Sequence, residues 1–251
     1  MKNKVAEIIK DQAYQKNGSK VVFTSAIDFE EATFIDNLIR ELRPQNTIEI
    51  GCAEGASSLV IMDALASSGG QHTIIDPFQT TYWESKGINL LQMFGHDQYK
   101  LIEKGSEIAL PALLDKAEKF DFAFIDGYHT FDHTLLDAFY LVKMLKPGGV
   151  LVIDDVQMPA INKCLRYLYN YPCLQYKGSS MGTSATKSRK LFDKVKGGVQ
   201  LISGIIPQKW RSELLNDSVL RSDVKLGLRS SMVAFQKTAE DTREWNWWKS
   251  F

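Results

Sequence analysis

The residue pattern of this chain implies an α/β fold, a mostly parallel sheet with helices on both faces. Two observations carry that reading. Short apolar runs alternate with amphipathic stretches of helical length, and the apolar runs read as near-continuous rather than alternating, as strands buried on both faces do. The 251 residues suffice for one large core, and 44% of them are hydrophobic and 24% charged, an ordinary globular balance.

The first clear helix begins near Ser25 or Asp28, with Phe29, Ala32, Ile35, Leu38, Ile39 and Leu42 at helical spacing and Pro44 ending it. Thr47 to Gly51 reads as a strand, and the turn from Gly51 to Gly55 opens a helix to about Ala66. His72 to Pro77 and Leu101-Ile102 are further strands, and Ile108 to Ala117 is a helix. Phe120 to Gly127 is a strongly apolar strand. The next helix has Thr130 as its expected N-cap and Lys146-Pro147-Gly148-Gly149 as its stop. Val150 to Asp154 is another strand, Ile161 to Tyr169 a helix, and Ser231 to Gln236 the last strand. The expected division is an N-terminal helical segment over 1–44, a main domain over 45–240 with a loop elaboration at about 177–230, and an aromatic tail over 241–251. Trp245, Trp247 and Trp248 in that tail should pack on their own domain or on a partner subunit.

Lys plus Arg and Asp plus Glu are 30 each, so the net charge is zero, which argues against a general nucleic-acid binder. Cys52, Cys164 and Cys173 are too few for a disulfide framework or a zinc site. No run approaches about 18 apolar residues, and no apolar stretch follows Lys2 and Lys4, so a cytoplasmic protein without membrane association is expected.

In open parallel sheets ligands bind beyond the carboxyl ends of the strands. Asp76, Asp126 and the pair Asp154-Asp155 each follow an apolar strand, so the fold should bring them to one rim. In Glu49-Ile50-Gly51-Cys52-Ala53-Glu54-Gly55-Ala56-Ser57, Gly51 and Gly55 permit a sharp turn and close ligand approach. Ser57 lies at a helix start, where free N–H groups favour a carboxylate. Asp76 stands where an acid can accept from both hydroxyls of a ribose. A dinucleotide fingerprint would need glycine where Ala53 and Ala56 stand.

Glu-x-Gly-x-Ala-x-Gly instead resembles the first motif of class I S-adenosylmethionine-dependent methyltransferases, with Ala53 in place of the usual middle glycine. Asp126-Gly127-Tyr128-His129 and Ile153-Asp154-Asp155-Val156 resemble the metal-dependent O-methyltransferases of the catechol, caffeoyl-coenzyme A and macrocin types. The resemblance covers about Glu30 to Val156. It implies a Rossmann-like methyltransferase fold with a seven-stranded sheet. It also implies S-adenosylmethionine held by Glu49, Gly51, Ala53, Gly55, Ser57, Asp76, Ser106, Glu107 and Asp126. A divalent cation such as magnesium would be bound by Asp126, Asp154 and Asp155, a hard oxygen set. His129 would be the general base, or a residue that only orients Asp126.

The expected activity is O-methylation of a small-molecule hydroxyl, on a sugar or a catechol-like diol. The alternatives are a metal-independent small-molecule methyltransferase and a non-catalytic cofactor-binding protein. Tyr82, Trp83, Tyr128 and Phe131 are candidate walls for the acceptor. Gly178 to Ser188 and the basic residues Lys187, Arg189, Lys190, Lys194 and Lys196 form a candidate lid.

Overall fold

The computed structural model describes residues 1–180, 223 and 226–251. The expected lid and basic run fall almost wholly outside the described residues. The chain opens with helix α1 (Asn3–Asp11), a hairpin of β1 (Ala13–Lys16) and β2 (Ser19–Val22), and helix α2 (Phe29–Leu42). The hairpin is a departure from the all-helical segment expected there. Its turn residues Asn17 and Gly18 both have positive φ, +52° and +79°, and Asn-Gly favours such turns. In α2, Asp28 caps Glu31 N–H while the Glu31 carboxylate accepts from Asp28 N–H. That reciprocal box satisfies two of the helix's free donors and sets its start.

There follow β3 (Asn46–Ile50), α3 (Ala56–Leu65), β4 (Gln71–Ile75), α4 (Lys86–Met93), β5 (Tyr99–Ile102), α5 (Ser106–Asp115) and β6 (Phe120–Ile125). The remaining elements are α6 (Phe131–Met144), β7 (Leu145–Ile153), α7 (Pro159–Leu168), β8 (Leu174–Ser179) and β9 (Val233–Lys237). Seven strands form one sheet in the order β5-β4-β3-β6-β7-β9-β8, parallel from β5 to β7, with β9 antiparallel to both neighbours. The α/β expectation therefore holds, and α4 and β8 are additions to it. The stop expected at Lys146 to Gly149 is part of β7 itself.

Residue alternation divides the core. Ala123 and Ile125 of β6 and Leu151 and Ile153 of β7 face one layer, while Phe122, Phe124, Val150 and Val152 face the other. All are buried. Each fully buried phenylalanine contributes roughly 2–3 kcal/mol by removal from water. The strand order reverses between β3 and β6. There the hydrogen-bond ladder runs one residue past the strands: Asp126 N–H donates to Ile50 O at 2.9 Å, Gly51 N–H to Ile75 O at 2.9 Å and Asp154 N–H to Ile125 O at 3.0 Å. Gly51, Asp126 and Asp154 are thus fixed on one rim by the sheet. In the tail, Trp247 packs against Tyr167 and Tyr171, and Phe251 stacks on Phe131, whereas Trp245 is 94% exposed.

Candidate active site

A cavity of about 440 Å³ opens on this rim, within the usual size range for small-molecule sites. One side is the turn after β3, with Gly51, Cys52, Ala53 and, at the start of α3, Ala56 and Ser57. The other carries Asp126, Tyr128, His129, Asp154 and Asp155. Ile75 to Phe78, Trp83, Gly105 and Ser106 complete the floor, and Ser25, Ala26, Ile27 and Glu31 bring the N-terminal segment over it.

The turn is built by close approach. A Cβ at Gly51 would lie 2.0 Å from the Asp126 carbonyl oxygen, and one at Gly55 would lie 2.7 Å from Gly87 Cα. Both glycines have φ near +90°. Gly55 supports the turn from behind and does not line the cavity. No side chain caps α3, so its first N–H groups remain available beside Ser57.

Asp76 lines the cavity, yet its carboxylate is largely engaged by protein. Oδ2 accepts from Cys52 N–H, Ala53 N–H and Gln79 Nε2 at 3.1, 2.9 and 2.9 Å, and Oδ1 from Phe78 N–H at 2.8 Å. A carboxylate has about four acceptor positions, so only Oδ1 retains capacity for a ligand. These four contacts hold the turn, and Asp76 still borders the cavity with Oδ1 the less occupied oxygen.

Two further expected residues lie off the cavity. Glu49 points to the opposite face of β3, fully buried, hydrogen-bonded to the Ser58 hydroxyl and 3.3 Å from His72 Nε2. Strand alternation explains this, because Ile50 takes the cavity side. Glu107 is exposed, and its carboxylate folds back against Gly105. Ser106 does line the cavity.

The acidic side holds the main electrostatic feature. His129 Nε2 lies 2.7 Å from Asp155 Oδ2 and 3.4 Å from Asp126 Oδ1. Hydrogen bonds that the ring donates to Asp126 first, then to Asp155, push the imidazole pKa up to about 10. Burial raises the Asp126 carboxyl to about 6 despite that partner. Burial, with Asp126 and Glu31 nearby, drives Asp154 well above the carboxylate range. So many acids cannot all ionise together without a cation among them. The His129 imidazole between Asp126 and Asp155 meets part of that need, and a cation bound by the same carboxylates would meet it instead. Asp154 lines the cavity with Oδ1 accepting from Asp155 N–H at 2.7 Å, but it stands apart from the group formed by Asp126, His129 and Asp155.

Three contributors are not apparent in the sequence pattern. Glu31 faces the acids from α2, and burial raises its pKa. Gln79, fully buried, donates to Ala53 O and Asp76. Glu54, also buried, accepts from Thr24 N–H and Ser25 N–H at 2.5 and 3.0 Å, tying the glycine turn to the N-terminal wall. Of the aromatic candidates, Trp83 and Tyr128 line the cavity, Tyr82 is largely exposed, and Phe131 is covered by Phe251.

A family model described as a methyltransferase domain matches residues 48–156, the span that carries both the glycine turn and the acids. Residues 48–156 are similar to a methyltransferase domain. The chain is 30% identical over 131 residues to tapetum-specific methyltransferase 1 of Arabidopsis thaliana, covering 51% of this chain and 54% of that protein. It is 28% identical over 145 residues to catechol O-methyltransferase B of Danio rerio, covering 56% and 53%. The chain thus spans about half the length of these curated relatives. Among solved structures, the O-methyltransferase from Bacillus cereus in complex with SAH superposes with a TM-score of 0.57 at 18% identity, covering 66% of this chain and 79% of that one. TomG of Streptomyces achromogenes, in complex with SAM, gives 0.55 at 20%, covering 66% and 78%. These likenesses show a Rossmann-like methyltransferase fold. The resemblance to S-adenosylmethionine-dependent O-methyltransferases of the caffeoyl-coenzyme A and catechol type, expected from the motifs, holds over the matched residues.

Proposed function

We propose that the protein is an S-adenosylmethionine-dependent O-methyltransferase that uses a divalent cation and acts on a small-molecule hydroxyl, on a sugar or a catechol-like diol. One observation carries this reading: the glycine turn and the acidic group face each other across a single cavity.

The residues present fit both groups. Ser57 and the uncapped start of α3 suit a carboxylate, and Ala53, Gly105 and Ser106 offer backbone close to an adenosyl group. Among the described residues, Asp126 and Asp155 have no side-chain hydrogen-bond donor but His129, and Asp154 Oδ2 has none, as suits cation ligands. When bound, these groups supply a transferable methyl and an acidified acceptor hydroxyl. The chain's own residues align the reactants and shield them. Ile27, Trp83 and Tyr128 wall the cavity, and the sheet holds the turn and the acids at fixed separation.

Radiolabelled methyl transfer to a panel of sugars and catechols, with and without chelator, tests the reading. Asp154→Ala should abolish metal-dependent turnover and leave calorimetric binding of S-adenosylhomocysteine largely intact. Unchanged turnover of that variant with a chelator present would refute the metal role. The imidazolium of His129, itself a cation between Asp126 and Asp155, favours a second reading, metal-independent methyl transfer. The chelator arm separates the two.

A further inference from the structure

We propose that His129 is a metal ligand: its Nε2, with one oxygen each from Asp126 and Asp155, forms a mixed nitrogen–oxygen donor set for a first-row transition cation rather than an all-oxygen site for magnesium. The inference rests on the metal requirement proposed above and changes which residues meet it.

The geometry comes first. One ligand atom from each of Asp126, His129 and Asp155 lies within 4.8 Å of the other two. Donors bonded at about 2.1 Å to one ion stand no more than about 4.2 Å apart, so small side-chain movements bring all three onto one centre. The frame is rigid. Asp126 directly follows β6 and His129 comes three residues later, while Asp155 lies two residues past the end of the neighbouring β7. It is the Nε2 atom of the ring that meets both carboxylates.

A second observation points the same way. Asp154 is more than nine-tenths buried and lines the same cavity, with Oδ1 taken by Asp155 N–H and Oδ2 without a protein donor. A carboxylate of a mostly buried residue that turns one oxygen to the cavity, with no donor for it among the described residues, is placed to meet a ligand there. Asp154 is suited to orient a bound water or complete the donor set, rather than to be one of the primary three.

The chemistry follows from the donors. Carboxylate-only sites suit magnesium, whereas imidazole suits the borderline cations, whose affinities rise along the first transition row. Replacing one carboxylate by His129 therefore shifts preference away from magnesium and removes one negative charge from the site.

Pulsed electron paramagnetic resonance of Mn²⁺ decides the matter without measuring turnover. Chelator-treated protein with S-adenosylhomocysteine is titrated with MnCl₂. Nitrogen modulation from one coordinated imidazole is expected, lost in His129→Asn and kept in Asp154→Asn. Mn²⁺ should also resist displacement by roughly 100-fold excess Mg²⁺. Bound Mn²⁺ without nitrogen coupling in the unsubstituted protein overturns the inference and leaves an all-oxygen metal site standing. Failure to bind Mn²⁺ at all removes both the inference and the metal requirement. The decisive readout belongs to the unsubstituted protein, so a folding defect in a variant does not blunt it.

Discussion

The Cα of Gly51 lies so close to the Asp126 carbonyl that a Cβ there would sit 2.0 Å from the oxygen. This contact joins the turn after β3 to the acid after β6 at the point where strand order reverses. Gly51→Ala must both move backbone and hold an L-residue at φ +89°. A loss of about 3 kcal/mol in urea unfolding is expected, with calorimetric binding of S-adenosylhomocysteine abolished. Binding within threefold of the unsubstituted protein would contradict the role given to this contact.

Ala53 presents the opposite case. It replaces the motif's usual middle glycine, yet its φ is +47°, in the left-handed region. The methyl group pays a steric cost of about 1–2 kcal/mol there, offset in part by the smaller entropy of the unfolded chain. Ala53→Gly should stabilise the protein by up to about 1 kcal/mol, a rise of about 2–4 °C in Tm. Ala53→Val should lower Tm.

Glu54 links the turn to the cavity wall through Thr24 and Ser25 N–H. Glu54→Ala leaves those donors without their acceptor and should cost about 2 kcal/mol. Hydrogen exchange should accelerate at residues 24–27 while the strands around Phe124 stay protected. A uniform acceleration across the sheet would mean that Glu54 serves global folding instead.

These residues also mark what could be read from sequence. Gly51, Asp76, Asp126 and Asp154 were legible because each punctuates an apolar strand, and parallel strands share one carboxyl-end rim. The roles of Glu31 and Glu54 were not, because they depend on contacts that no local spacing encodes: residue 31 facing 155, and residue 54 binding residue 24. The linear motif places Glu49 in the site, whereas strand alternation turns it to the face opposite Ile50. The hairpin had a usable signal in Asn17-Gly18, but its strands are short and partly exposed, with little apolar alternation. His129 was legible as a chemical group at the rim. Its charge state was not, since that depends on Asp155 arriving from a second strand.

Asp137 on α6 gives a test of electrostatics away from the proposed metal ligands. It is 1% exposed, and its Oδ1 has no hydrogen-bond partner. Burial raises its pKa from 3.8 to about 6, with the Ser106 hydroxyl partly opposing the rise. The folded state therefore binds this proton more tightly than the unfolded chain does. The associated stability is fully present below about pH 4 and is lost as pH rises through about 6, a contribution of about 3 kcal/mol for a two-unit difference. Asp137→Asn removes the ionisation but weakens the acceptor opposite Ser106, at about 1 kcal/mol. Urea unfolding at pH 7.5 should thus show the variant more stable by about 1–2 kcal/mol, with the advantage gone or reversed at pH 4. An equal difference at both pH values would show that Asp137 is not ionised at a cost in the folded protein.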